Sequence, residues 1–157
     1  MATATTSEPI GVSMTSESEQ PVAALLPTPD RDSAPWWEAL GAGRLQVQVC
    51  RSCGQRRWPP RAICGGCGSF DARWETTAGT GTVVAWTTTH HGFLPGFTPP
   101  YHTVLVRVDV DAGQDDIIMP GGWSGDRLPT VGQPVDADLR TVHAHGETAA
   151  LLFWREL

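Results

Sequence analysis

Residues 50–68 read CRSCGQRRWPPRAICGGCG and hold all four cysteines of the 157-residue chain. Cys50, Cys53, Cys64 and Cys67 fall in the pattern C-x2-C-x10-C-x2-C. Each C-x2-C pair builds one knuckle, and two knuckles set four thiolates around a tetrahedral ion. Zn2+ suits such a ligand set, because it is redox-silent and accepts four thiolates at about 2.3 Å. A glycine follows each second cysteine, Gly54 and Gly68, where a knuckle backbone turns sharply and sends its N–H groups toward sulfur. The pattern therefore predicts a zinc ribbon. An iron centre of the same ligands and a pair of redox C-x2-C motifs are the other readings; redox motifs normally sit between a strand and a helix, and no helix pattern follows here. Four cysteines fill the tetrahedron, so the zinc is structural rather than catalytic. A ribbon of about 25 ordered residues with few large apolar side chains does not offset its own conformational entropy. Metal binding in such modules contributes roughly 10–16 kcal/mol of apparent free energy.

Upstream of the cysteines, LQVQV (45–49) alternates and reads as a strand entering Cys50. Before it, DRDSAPWWEALGAG predicts a short helix: Ser33 as N-cap, Pro35 in the first turn, and Gly41 or Gly43 at the end. Trp36 and Trp37 lie on the side of Leu40. So short a helix does not stand alone in water, and the two tryptophans must be buried against this chain's core or another subunit. Residues 1–29 are rich in Ser, Thr, Glu and Pro, and the segment 1–31 reads as a disordered tail or one that a partner orders.

Downstream the signals are all β: TVVAWTTT (82–89), YHTVLVRVDV (101–110), DDIIM (115–119), PVDADLRTVH (134–143) and TAALLFW (148–154). Val104, Val106, Val108 and Val110 share one face of the second; Val135, Ala137 and Leu139 share one face of the fourth. Five strands with Gly and Pro between them and no helix predict a small closed or nearly closed barrel. GGWSGD (121–126) reads as a loop. The expected organisation is tail 1–31, helix 32–43, ribbon 44–75 and barrel 76–157.

Charge is distributed unevenly. Residues 1–43 carry six acids and one Arg, residues 44–73 six Arg and one Asp, and residues 74–157 ten acids and four Arg; lysine is absent. The arginines of the ribbon loop, Arg51, Arg56, Arg57 and Arg61, offset the negative charge of a four-thiolate zinc, or form a phosphate-facing patch. An acidic barrel is a poor nucleic-acid reader, since counterion release needs a basic footprint. There is no run of 18 apolar residues and no signal-like N-terminus, so the expected location is cytoplasmic, without a membrane partner.

The whole order resembles the DUF35 family: a Trp-rich short helix, GRLQVQVC entering a ribbon, Pro59-Pro60-Arg61 between the knuckles, GTGTVVAWTTTHH, Pro95-Gly96-Phe97, Pro100-Tyr101, and an ending in LLFW. The likeness runs from about residue 32 to the C-terminus. It implies a mainly β protein with an N-terminal helix, a rubredoxin-like zinc ribbon and a five-stranded OB-fold barrel. It also implies a non-catalytic accessory subunit of a thiolase-superfamily acyltransferase or side-chain-cleaving aldolase in lipid or steroid metabolism, supporting assembly and acyl-CoA binding or transfer. The implied partner is a thiolase-like subunit, with acyl-CoA bound through the complex. Candidate contacts to partner or acyl-CoA are Trp36, Trp37, Arg57, Arg61, His91, Phe93, Phe97 and Tyr101. A single-stranded nucleic-acid-binding module is the alternative, because ribbons and OB-folds both do that work.

Other residues carry weaker signals. His90 and His91 read as a polar strand end rather than a general base, since no nucleophile stands beside them in sequence. His143 and His145 read as solvated rather than as a metal pair. Phe93, Phe97 and Tyr101, with their prolines, are either a barrel plug or a docking surface, because such apolar side chains are costly to leave in water.

Overall fold

The computed structural model describes residues 26–92, 97–110, 116–144 and 146–157. Residues 1–25 of the tail, Phe93 and His145 lie outside the described residues. Among the described residues one helix, α1 (Ala34–Gly41), precedes eight strands: β1 (Gln46–Cys50), β2 (Arg56–Arg57), β3 (Ala72–Thr76), β4 (Thr80–Thr89), β5 (Tyr101–Val108), β6 (Ile118–Trp123), β7 (Pro134–Ala144) and β8 (Glu147–Glu156). The protein is mainly β, as its strand signals require. No helix among the described residues is long and apolar enough to cross a membrane.

The helix starts at Ser33 with Pro35 in its first turn, but the Ser33 hydroxyl makes no capping bond to it. Instead Asp30 organises the entry: its carboxylate accepts the Ser33 N–H at 2.7 Å, and its carbonyl accepts the Ala34 N–H at 2.9 Å. At the other end Gly43 takes φ +74° and donates to the Leu40 carbonyl, the left-handed turn that glycine allows after a helix.

β1, β2 and β3 form a three-stranded antiparallel sheet in the order β2-β1-β3. The sequence pattern did not reveal β2 and β3: one is two residues long, and the other, ARWET, has no apolar alternation. β1 supplies the register that both follow, pairing Val49 with Arg56 on one edge and Arg73 on the other.

β4 to β8 close into a barrel in the order β4-β5-β6-β8-β7, with β7 returning to β4. All ladders are antiparallel except β6 with β8, so this is the five-stranded Greek-key OB-fold. The alternation of β5 is borne out: Val104, Val106 and Val108 are buried while Leu105 and Arg107 face out, and Val110 packs on the core just past the strand end. In β7, Val135 is fully buried and Ala137 and Leu139 pack beside it.

The third barrel strand departs from the sequence reading. It lies at 118–123 rather than 115–119 and runs through Pro120, Gly121 and Gly122, which the sequence marks as a turn. Tertiary packing overrides that local signal. Trp154, with no exposed surface, lies against Gly121: a Cβ there would come within 2.6 Å of its indole ring. A Cβ on Gly122 would collide with the ring of Phe153. The two glycines are the space into which two aromatic rings of β8 fit.

One hydrophobic core joins the three parts. Trp36 and Leu40 of α1, Leu45, Val47 and Val49 of the ribbon, and Val83, Met119, Leu152 and Trp154 of the barrel belong to a single cluster. The helix is wedged between β1 and the β7–β8 hairpin.

Because Trp154 fills the space beside Gly121, Gly121→Val should destabilise the protein by about 1–3 kcal/mol through overpacking. An unobstructed strand glycine would gain from the same change. Chemical denaturation of the two proteins distinguishes the signs.

Candidate metal centre and the surfaces around it

The two knuckles are near copies. Gly54 donates its N–H to the Cys50 carbonyl and Gly68 to the Cys64 carbonyl, each at 2.9 Å, with φ of +76° and +74°. Nothing lies within 4 Å of a Cβ on either glycine, so the turn geometry alone demands them. The four Sγ atoms converge to within 4.8 Å of one another, and the Cys50–Cys67 and Cys53–Cys64 pairs stand at 3.6 Å. Four sulfurs about 2.3 Å from a tetrahedral ion would be about 3.8 Å apart, so the cage fits zinc. Cys50 and Cys64 are buried, whereas Cys53 and Cys67 reach the surface.

Electrostatics favours a cation at the centre. The Cys53 N–H, with that of Ser52, holds the Cys50 thiol down to about 6, and the Cys67 and Gly66 N–H groups lower Cys64 in the same way. The Gln55 N–H favours the Cys53 thiolate, but its neighbours Cys67 and Cys64 push that thiol up to about 12. Four crowded thiols cannot all ionise without a positive ion between them. When bound, zinc supplies charge neutralisation and crosslinks the two knuckles; Cys50, Cys53, Cys64 and Cys67 would hold it, and no fifth donor is needed.

The ribbon arginines divide by role. Arg56 grips one oxygen of Glu75 across the sheet, with nitrogen–oxygen distances of 2.9 and 2.8 Å, and Arg73 grips the other at 3.1 Å. The Arg56 guanidinium keeps the Glu75 carboxyl below its usual range. Arg57 turns inward: its Nε donates to Gln48 Oε1 at 2.6 Å and its Nη2 to the Arg61 carbonyl at 3.2 Å. Gln48 is a buried polar residue, and the same oxygen accepts the Arg61 N–H at 3.0 Å. Arg57 thus braces the inter-knuckle loop, while the Arg61 side chain is exposed.

Of the two adjacent tryptophans, Trp36 is buried in the chain's own core, edge-on to Trp37 at 4.8 Å and 5.7 Å from Trp58. Trp37 is half-buried and lines a cleft of about 540 Å3 with Leu26, Pro27, Thr148 and Ala149. On the barrel, the Phe97 ring packs tilted against Tyr101 at 5.4 Å, and both line a cavity of about 340 Å3 with His102, Trp123, Leu152 and Phe153. His102 was missed in sequence because a single histidine within a strand carries no pattern; Thr88 holds its Nδ1 at 2.9 Å. His90 and His91 are exposed, and His143 bonds Thr148 across its hairpin at 3.0 Å.

All four barrel arginines have a carboxylate within reach: Arg107 with Asp116, Arg127 with Glu156, Arg140 with Asp138 and Arg155 with Asp136. Each of these cations thus has an acidic neighbour on the barrel surface.

A short helix, a four-cysteine ribbon and an OB-fold barrel in that order define a narrow class of protein. Residues 37–72 match the family described as the ChsH2 rubredoxin-like zinc ribbon domain, and residues 74–140 match the ChsH2 C-terminal OB-fold domain. A solved chain from the Ltp2-ChsH2(DUF35) aldolase is 32% identical and superposes with a TM-score of 0.71, covering 83% of this chain and 98% of that one. A DUF35 protein of unknown function from Sulfolobus solfataricus shares the fold at 14% identity and a TM-score of 0.51, over 81% of this chain and 86% of its own. The chain belongs to the DUF35 family. A Thermomonospora curvata protein named "Probable enoyl-CoA hydratase alpha subunit" is 38% identical over 128 residues, 79% of this chain and 39% of that protein. The chain thus spans about two fifths of the length of that curated relative.

Purified protein is expected to carry a single zinc ion by elemental analysis. Chelation, or Cys64→Ser, should release it and raise amide exchange across residues 50–71 before β5 loses protection. Unchanged exchange after zinc removal would contradict the role of the metal in ordering the ribbon.

Proposed function

We propose that this chain is a non-catalytic accessory subunit of an acyl-CoA-processing enzyme complex, with a thiolase-superfamily acyltransferase or side-chain-cleaving aldolase as its partner in lipid or steroid metabolism. The observation that carries this reading is the 32% identity to a chain of a two-component aldolase across 98% of that chain's length. The relative named as an enoyl-CoA hydratase subunit points to the same substrate class.

The chemistry of the chain agrees with an accessory role. All four cysteines are committed to one cage, which leaves no thiol as a nucleophile. The ribbon and helix supply a rigid docking unit. The barrel cavity beside Phe97 and Tyr101 is of a size to take part of an acyl group or to cover a partner's active-site entrance. Arg57 is spent inside the ribbon, so Arg61 is the better candidate for an intermolecular contact.

A tagged chain expressed in its native host should retain a thiolase-like subunit, and the pair should turn over an acyl-CoA that neither chain converts alone. Cys64→Ser should abolish this association, whereas His91→Ala should leave it intact. Recovery of the tagged chain without such a subunit, or full turnover by the isolated chain, would overturn the reading.

A further inference from the structure

We infer that the outer edge of the second zinc knuckle, Phe70 with Ile63 and Arg61, is the anchor by which this chain docks into an apolar, acid-rimmed pocket on its partner subunit. The inference rests on the accessory-subunit reading and assigns it a surface.

Phe70 is 74% exposed and Ile63 49% exposed, although both adjoin a hydrogen-bonded knuckle. The Cys64 N–H donates to the Ser69 carbonyl at 2.9 Å, closing the knuckle that Ile63 and Phe70 flank in sequence. Phe70 is pinned on both flanks. Ser69 Oγ accepts the Ser52 hydroxyl at 2.9 Å, and the Asp71 carbonyl accepts the Arg51 N–H at 3.0 Å, tying both neighbours to the first knuckle. The backbone is held on either side while the ring stands in water. Such preorganisation is what an interface anchor needs, because little side-chain and loop entropy remains to be lost on binding.

Charge selects the partner's chemistry. Arg61 is exposed and has no carboxylate partner among the described residues, unlike the four arginines of the barrel. Its loop belongs to the only basic stretch of the chain, residues 44–73. A pocket that seats a phenyl ring and presents a carboxylate toward Arg61 would meet both features. Two apolar side chains on a ribbon edge fall well short of the roughly 800 Å2 per partner of a stable interface. A symmetric contact between two copies through this edge would therefore be small, whereas one anchor within a larger heteromeric surface is sufficient.

The test uses the full zinc-loaded chain and the thiolase-like subunit recovered with it, with affinity measured by calorimetry. Phe70→Ala should weaken binding at least about tenfold, the size of a hot-spot loss, and Phe70→Asp should weaken it further. Arg61→Glu should slow association most at low salt. Leu128→Ala, at another exposed apolar residue, should change affinity less than twofold. Zinc content and circular dichroism should match wild type in all four. If wild type binds and Phe70→Ala binds equally well, this anchor is refuted while the accessory role stands. If wild type binds no thiolase-like subunit, the functional reading fails and the anchor with it. A Phe70-dependent homodimer in sedimentation of the chain alone would assign the edge to self-association and also overturn the proposal.

Discussion

Convergence of four sulfurs on one point is the constraint on which the ribbon depends. The sheet beneath them has two five-residue strands, one of them without apolar alternation, and one two-residue strand, too little to hold a register by itself. The knuckles fix where β1 ends, and the loops that leave them return as β2 and β3. With both ends of that excursion tied through one ion, Gln48 and Arg57 can brace the inter-knuckle loop, and Arg56 and Glu75 can pair across the sheet. Those polar contacts refine a geometry that the metal has already imposed.

From the ribbon the constraint passes into the barrel through apolar packing. Leu45, Val47 and Val49 lie on the same core as Trp36 and Leu40, and that core continues into Val83, Met119 and Trp154. The helix is too short to persist alone, yet it fills the angle between two β units and so sets their relative placement.

The distribution of charge separates the two β units by function. On the barrel each arginine is neutralised by a nearby carboxylate, and what remains distinctive there is an aromatic cavity at the end of β5. On the ribbon, Arg56 and Arg73 share Glu75, Arg51 pairs with Asp71 and Arg57 turns to Gln48, while Arg61 is exposed.

The linear order of residues by itself determined the metal cage, the zinc that suits it, the helix and the strands with clean alternation, because each depends on spacing within a few residues: two for a knuckle, period two for β5, three and four for the face of α1. Family membership was also legible, since it rests on motifs in order. Only the tertiary structure decided the rest. Gly121 and Gly122 became strand because Trp154 and Phe153 take their space. Trp36 went to the core while Trp37 stayed at a cleft, which adjacency in sequence cannot separate. Arg57 turned inward and Arg61 outward, and Phe70 was left in water on a braced loop. These outcomes depend on which distant side chain packs into a given volume, and excluded volume between residues far apart in the chain leaves no periodic trace.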